Sequence, residues 1–330
     1  MKIKLPSVPL PEKAEDLYSM LHDYFSGKQV TINPGSNIID INWPMSPEHY
    51  IDQNLKTGLE WWGTGTQVST IPFEVKNCAG YQLSLNDNWT LYAWSKWLAG
   101  RFLRKDLPKK IVILHVDDHR DCMSPMLFIQ PGSSYLDPLT NNPISLLSPE
   151  SVRSAIESGT IAVGSFMPLF FHENINIEFR HLLPSHRMPM SLDPGLIERT
   201  FESDKLLSVG AKRPALAFES KTVNTGLSYF PTDNLDLFLN DIPKTIPILF
   251  HVDMDYFNNR FDGDSDWIPG STHDPAEVMV MSGIQSVFSK VLTAIPQNQI
   301  EDITIALSPG FFPSEYWQQS IEIIDDLMYK

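Results

Sequence analysis

The 330-residue sequence is poor in cysteine, in positive charge and in long apolar runs. Its two cysteines, Cys78 and Cys122, form no Cys-x-x-Cys pair, which excludes a disulfide framework and a zinc ribbon. Lysine and arginine total 25 against 40 aspartates and glutamates, a net charge of −15. Such a surface repels phosphate backbones and anionic membranes, so neither nucleic acid nor a membrane is an expected partner. No apolar run reaches the ~18 residues that a spanning helix needs. The opening Met1-Lys2-Ile3-Lys4-Leu5-Pro6 lacks the apolar centre of a signal peptide, and a cytoplasmic protein is expected. Internal repeats and low-complexity tracts are missing. So are the Gly-x-Gly-x-x-Gly, Walker and Gly-x-Ser-x-Gly motifs.

What is present is an ordinary globular composition, 42% hydrophobic and 20% charged, which excludes wholesale disorder. A chain of this length buries a core without metals or disulfides, so any metal site is expected to be functional. The 26 prolines are spread along the chain and predict ordered turns, with no single linker. A helix is expected over residues 12–25, ending near Gly27. Short extended pieces follow, broken at Pro34-Gly35, Pro44 and Gly63-Thr64-Gly65. Trp43, Trp61 and Trp62 lie in this stretch, where they either line a recognition surface or pack over the core.

From about residue 79 strands alternate with helices. Strands are expected at 81–85, 111–116, 160–165, 214–218, 246–252 and 303–307, and helices at 90–103, 149–158, 275–295 and 313–328. The continuous apolar run Ile111-Val112-Ile113-Leu114-His115-Val116 has the pattern of a buried parallel strand. Pro247 is expected to mark the start of its strand. The alternation predicts an α/β fold: a single three-layer αβα domain with a mainly parallel sheet and helices on both faces. Residues 1–78 are expected to form an N-terminal helix and loop-rich extension packed on that domain.

The chemistry concentrates at two strand ends. Asp117-Asp118-His119-Arg120-Asp121 follows the 111–116 strand directly. Read as Asp-x-His-x-Asp, it points Asp117, His119 and Asp121 the same way in an extended segment. His251-Val252-Asp253-Met254-Asp255 closes a second apolar strand and supplies an Asp-x-Asp pair. Sites in open α/β sheets form beyond the carboxyl ends of strands. Four carboxylates and an imidazole converging there repel one another unless a cation lies between them. Oxygen-dominated donors suit manganese or magnesium better than zinc or copper. Enough carboxylates are present to bridge two ions, and such a centre supplies hydroxide near neutral pH.

Asp-x-His-x-Asp after one strand and Asp-x-Asp after a later one resembles the arginase/deacetylase superfamily, whose ureohydrolases use two manganese ions. The resemblance spans roughly residues 80–320 and is one of motif order. It implies that Asp117 and Asp253 bridge the two ions. It gives Asp121 to one metal, and His119 with Asp255 to the other. Within that superfamily, Asn86-Asp87-Asn88-Trp89-Thr90-Leu91-Tyr92-Ala93-Trp94 and Thr304-Ile305-Ala306-Leu307-Ser308-Pro309-Gly310 are similar to segments of a small arginase-like family. That family includes the peptide arginases of ribosomal-peptide natural product biosynthesis. The resemblance implies hydrolysis of arginine side chains in a precursor peptide to ornithine and urea, a post-translational modification. The partner it implies is an Arg-containing precursor peptide; the oligomeric state is left open.

Three departures from the ureohydrolase pattern bear on the site. The ungapped Leu-Tyr-Ala-Trp match puts Asp87 where a metal-binding histidine is usual, and His251 is the other candidate, with a buried hydrogen-bonded histidine as its plainer reading. Arginases continue Asp-x-Asp-x-x-Asp-Pro, whereas Asp255 is followed by Tyr256-Phe257-Asn258-Asn259. The glutamate that holds the guanidinium is missing near Ala306, and Glu315 is the expected substitute or else a first-turn helix acid. The leaving amine needs a proton, for which His172 is the first candidate and His181 and His186 the fallbacks. Asp262-Gly263-Asp264-Ser265-Asp266 lacks the spacing and terminal Glu of an EF-hand and is read as an acidic loop near the metal site. The competing functions are a free-arginine or agmatine ureohydrolase, a zinc deacylase of the same superfamily, and a non-catalytic peptide-binding domain.

Overall fold

The computed structural model describes residues 1–5, 13–25, 28–33, 38–46, 50–131, 134–188, 194–219, 226–262 and 273–329. At the N-terminus, β1 (Lys2–Lys4), helix α1 (Ala14–Tyr24), β2 (Gln29–Asn33) and β3 (Ile38–Asn42) come first, and the three strands form a small antiparallel sheet in the order β1-β3-β2. Then follow α2 (Leu55–Trp62), β4 (Val75–Asn77), β5 (Gln82–Ser84), α3 (Trp89–Arg104) and β6 (Lys110–Val116). A small three-stranded sheet of β7 (Phe128–Gln130), β8 (Ser134–Leu136) and β9 (Pro143–Ile144) precedes α4 (Pro149–Ser158) and α5 (Met167–Phe171). The chain continues through β10 (Asn176–Leu182), β11 (Gly195–Ser203), β12 (Lys212–Glu219), β13 (Leu227–Thr232) and α6 (Leu235–Leu239). It closes with β14 (Ile248–Asp253), α7 (Glu277–Ala294), β15 (Ile300–Ala306) and α8 (Trp317–Met328).

The central sheet has nine strands among the described residues, in the order β12-β11-β13-β10-β6-β14-β15-β5-β4. The run from β13 to β5 is parallel, with antiparallel β11 and β12 on one flank and β4 on the other. The protein is therefore a mixed α/β molecule with a large, mostly parallel sheet. From β6 the chain moves outward to β10 and β13, then returns to the other side of β6 as β14 and moves the opposite way to β15. The order thus reverses between β6 and β14, which is where a parallel sheet opens a crevice beyond its carboxyl ends.

Alternation along β6 explains how both faces are filled. Val112, Leu114 and Val116 join a core with α2, α6, α7 and α8, whereas Ile111 and Ile113 join one with α3, α4 and α5. His115 has the parity of the second face, and so does the aspartate two residues on. Helix ends follow local chemistry. Lys105 takes a left-handed conformation after α3, and α4 starts with Pro149 and stops at Gly159, φ 77°.

Most expected elements are observed within a few residues. Pro247 lies just before β14, its carbonyl accepting the Val112 amide at 3.0 Å, so the proline opens the strand. The expected strand at 160–165 is instead a set of turns. There the Thr160 hydroxyl donates to the Ala155 carbonyl at 3.1 Å, the Ser165 hydroxyl accepts the Ala162 amide at 2.9 Å, and Gly164 has φ 69°. Local hydroxyl bonding has displaced the ladder. Of the tryptophans, Trp62 is buried and Trp61 packs against the same core. Trp43 donates to the Glu157 carbonyl at 3.3 Å, at the end of α4. Glu12, Gly27, Pro34-Gly35 and residues 263–266 of the acidic loop lie outside the described residues. Among the described residues, no helix is long and apolar enough to cross a membrane.

Candidate metal centre

Strands β6 and β14 run side by side with His115 opposite His251 and Val116 opposite Val252. Each strand therefore delivers the same tripeptide, His-Val-Asp, to the same level of the sheet. Beyond it the chain turns back on its own aspartate. Asp117 Oδ1 accepts the His119 amide at 2.6 Å, and Asp253 Oδ1 accepts the Asp255 amide at 3.2 Å. These short turns place the next ligand-type residue two positions on. The two turns are also tied to each other, because Asp255 accepts the Asp118 amide at 3.2 Å and His119 Nδ1 at 2.9 Å.

Asp117, Asp121, Asp253 and Asp255 are all buried, and Asp87 joins them from the turn before α3. One oxygen of Asp87 accepts the Gly164 amide at 2.9 Å. Its other oxygen, Asp117 Oδ2 and Asp121 Oδ2 have no hydrogen-bond partner among the described residues. Unpaired buried carboxylate oxygens are costly, and their convergence calls for a cation. The ionisation behaviour agrees. Burial, then the charges of neighbouring carboxylates, push Asp117, Asp121 and Asp253 well above the usual carboxylate range. Burial raises Asp87 to about 7 against the amides of Gly164 and Asn88. Although burial opposes its charge, the Asp255 carboxylate holds the His119 imidazole well above its ordinary value.

Two groups here bring candidate ligand atoms within 4.8 Å of one another: His115, Asp117, Asp121 and His251; and Asp117, His119 and Asp255. They share Asp117, so the cluster is compatible with a binuclear site. A third such group, Asp118, His119 and Asp262, already holds a cation, since Arg187 donates to Asp118 at 2.8 Å and to Asp262 at 3.0 Å. Asn259 donates to the same Asp118 oxygen at 2.7 Å. His186 lies 3.6 Å from the other Asp118 oxygen and stacks on His273 with ring centroids 4.4 Å apart. Phe311 meets His119 edge-on at 5.5 Å. Ser308, in a left-handed conformation at φ 44°, donates its hydroxyl to Asp253 Oδ2 at 2.7 Å.

The structure thus groups Asp117 with Asp121, and Asp117 with His119 and Asp255, whereas Asp87 and Asp253 lie beside them within reach of their charges but in neither group. It engages two expected site residues elsewhere. His172 caps α5 and donates to the Ala215 carbonyl at 3.0 Å beside Phe201, and burial lowers its pKa. Glu315 binds Arg260 at 2.5 Å and Asn54 at 3.0 Å. None of these partners belongs to the carboxylate cluster. Sequence reasoning missed His115, Ser308, Asn259 and Arg187. His115 carried a legible signal, the His-Val-Asp shared with 251–253. The other three act across long sequence separations and carried none. Comparison with known proteins finds no matching family model and no matching curated protein.

Proposed function

We propose that this chain is a manganese-dependent peptide arginase that hydrolyses arginine side chains of a precursor peptide to ornithine and urea. The observation that supports the reading is the convergence of Asp117, Asp121, His119 and Asp255 at the ends of β6 and β14, with Asp87 and Asp253 buried beside them and three of these aspartates carrying oxygens without a partner among the described residues. In an arginase/deacetylase-like αβα fold Asp117 and Asp253 would hold both ions, and Asp87 would stand in the usual histidine's place. Bound there, the ions would lower the pKa of water toward neutrality and act as Lewis acids.

The chain's own residues do the rest. Asp118 and Asp262 accept one guanidinium, that of Arg187, beside His119, so this partly exposed edge of the cluster has charge and geometry that suit such a group. Water adds to the guanidinium carbon, the bond from that carbon to the side-chain nitrogen breaks, and the amine leaves as an ammonium. The net reaction is guanidinium plus water to ornithine ammonium plus urea. His186, beside Asp118 and stacked on His273, is better placed than His172 to deliver a proton to the leaving nitrogen.

The test is incubation of manganese-loaded protein with Arg-containing peptides and, in parallel, with free arginine and agmatine, reading urea and peptide mass. Ornithine in the peptide with the small molecules untouched supports the proposal. Turnover of free arginine or agmatine alone makes the protein a small-molecule ureohydrolase. No urea from any substrate contradicts guanidinium hydrolysis.

A further inference from the structure

Under the candidate ligands lies a row of aromatic and imidazole groups spanning four neighbouring strands. Tyr229 of β13, His181 of β10, His115 of β6 and His251 of β14 are all buried. In the strand registers His181 stands opposite His115, and His115 opposite His251.

A ring nitrogen that faces a carbonyl oxygen must carry the proton, because the oxygen only accepts. His115 Nε2 lies 2.9 Å from the His119 carbonyl, which only accepts, so Nε2 carries the proton. The Nδ1 atoms of His115 and His251 face each other at 2.8 Å and hold one proton between them, so with Nε2 of His115 already protonated the pair is completed by Nδ1–H of His251. His181 Nε2 lies 3.1 Å from the Asp117 carbonyl and donates to it, while its Nδ1 receives the Tyr229 hydroxyl at 3.0 Å. Adjacent strands thus send one N–H each to the carbonyls of Asp117 and His119, on the segment where β6 ends and the last amide bonded to β10 is that of Asp117, 3.3 Å from the Leu182 carbonyl.

We propose that His115 and His181 are positioning residues that clamp the backbone of the Asp117–Asp121 loop through these two carbonyls, and that His251 and Tyr229 lock the tautomers that make the clamp possible. The clamp explains why two imidazoles sit beside the carboxylates while both donate away from them. It also explains how a loop containing a left-handed Asp121, φ 52°, keeps its side chains converged. The inference rests on the reading of the cluster as a metal centre, because a clamp matters by holding ligands for an ion.

The test compares His115→Leu, His115→Gln, His181→Leu and His181→Gln with wild type. Leucine keeps volume and removes the donor, whereas glutamine supplies an amide N–H. Manganese affinity is read by titration calorimetry, folding by circular dichroism, and loop order by hydrogen exchange of the metal-free protein at 118–121. The expected result is a roughly 10- to 100-fold weaker manganese affinity in each Leu variant, faster exchange at 118–121, and recovery of both in the Gln variants. Wild-type affinity and exchange in the Leu variants overturn the clamp. Loss in the Leu and Gln variants alike also overturns it, because that places the imidazole itself among the ligands. If wild type binds no divalent ion, the metal reading fails by itself. The exchange data then decide the clamp: protection lost with Leu and restored with Gln supports it, and protection unchanged overturns it.

Discussion

At the scale of single residues, the centre is defined by what its carboxylates lack. Asp87, Asp117 and Asp121 each bury an oxygen with no hydrogen-bond partner among the described residues, so their ionised forms need a cation. Asp117→Asn and Asp253→Asn should therefore lower bound manganese and abolish turnover, checked by elemental analysis and urea release. Ser308 occupies a left-handed backbone that glycine or asparagine prefers, yet its hydroxyl meets Asp253. Ser308→Ala should cost about 1.5–3 kcal/mol of interaction with the carboxylate, seen as a roughly tenfold or larger loss of metal affinity.

The same carboxyls set a pH dependence. A carboxyl whose folded pKa exceeds its unfolded value holds an extra proton in the native state, so stability falls as pH rises through the interval between them. The buried neutral histidines act with the opposite sign, but only below their unfolded value of about 6.5. Above that pH the carboxyls dominate, Asp87 at about 7 among them. Metal-free protein should lose melting temperature from about pH 6.5 upward. Manganese, which needs the ionised carboxylates, should restore it and release protons on binding. A metal-free melting temperature that rises over that interval contradicts this assignment.

At the scale of elements, legibility follows the range of the interactions. The strands β6 and β14 were readable because apolar runs that end in an acidic turn have few other uses. The strand expected at 160–165 was not one, because Thr160 and Ser165 satisfy the backbone locally, a choice composition alone does not show. That turn nonetheless serves the centre, since Gly164 at φ 69° donates to Asp87 and a Cβ there would lie 3.1 Å from Met123. Gly164→Ala should destabilise the fold by about 1–2 kcal/mol through left-handed strain, measured by urea unfolding. It should also weaken manganese binding by moving the amide off Asp87. The acidic cluster itself was legible from two short motifs. Their supports were not: Ser308 and Asn259 reach their aspartates from 55 and 141 residues away, and no local pattern reports such contacts.

At the scale of the whole molecule, topology sets the site. The chain reverses direction across the sheet between β6 and β14, and the two acidic motifs are the ends of those two strands. A single shared register, His115 against His251, brings Asp117 and Asp253 to the same level. A ligand that binds only the folded chain stabilises it by mass action, about 2.7 kcal/mol at a concentration a hundredfold above its dissociation constant. The protein should therefore melt at a higher temperature with manganese, and the shift should disappear in Asp117→Asn. These strand ends are proposed to form a two-ion centre. Anomalous diffraction at the manganese edge from crystals grown with manganese tests it directly. Two peaks between Asp117 and Asp253, one reached by Asp121 and the other by His119 and Asp255, are the predicted result. A cluster without an anomalous peak, with its carboxylates paired to water or protons instead, would contradict it.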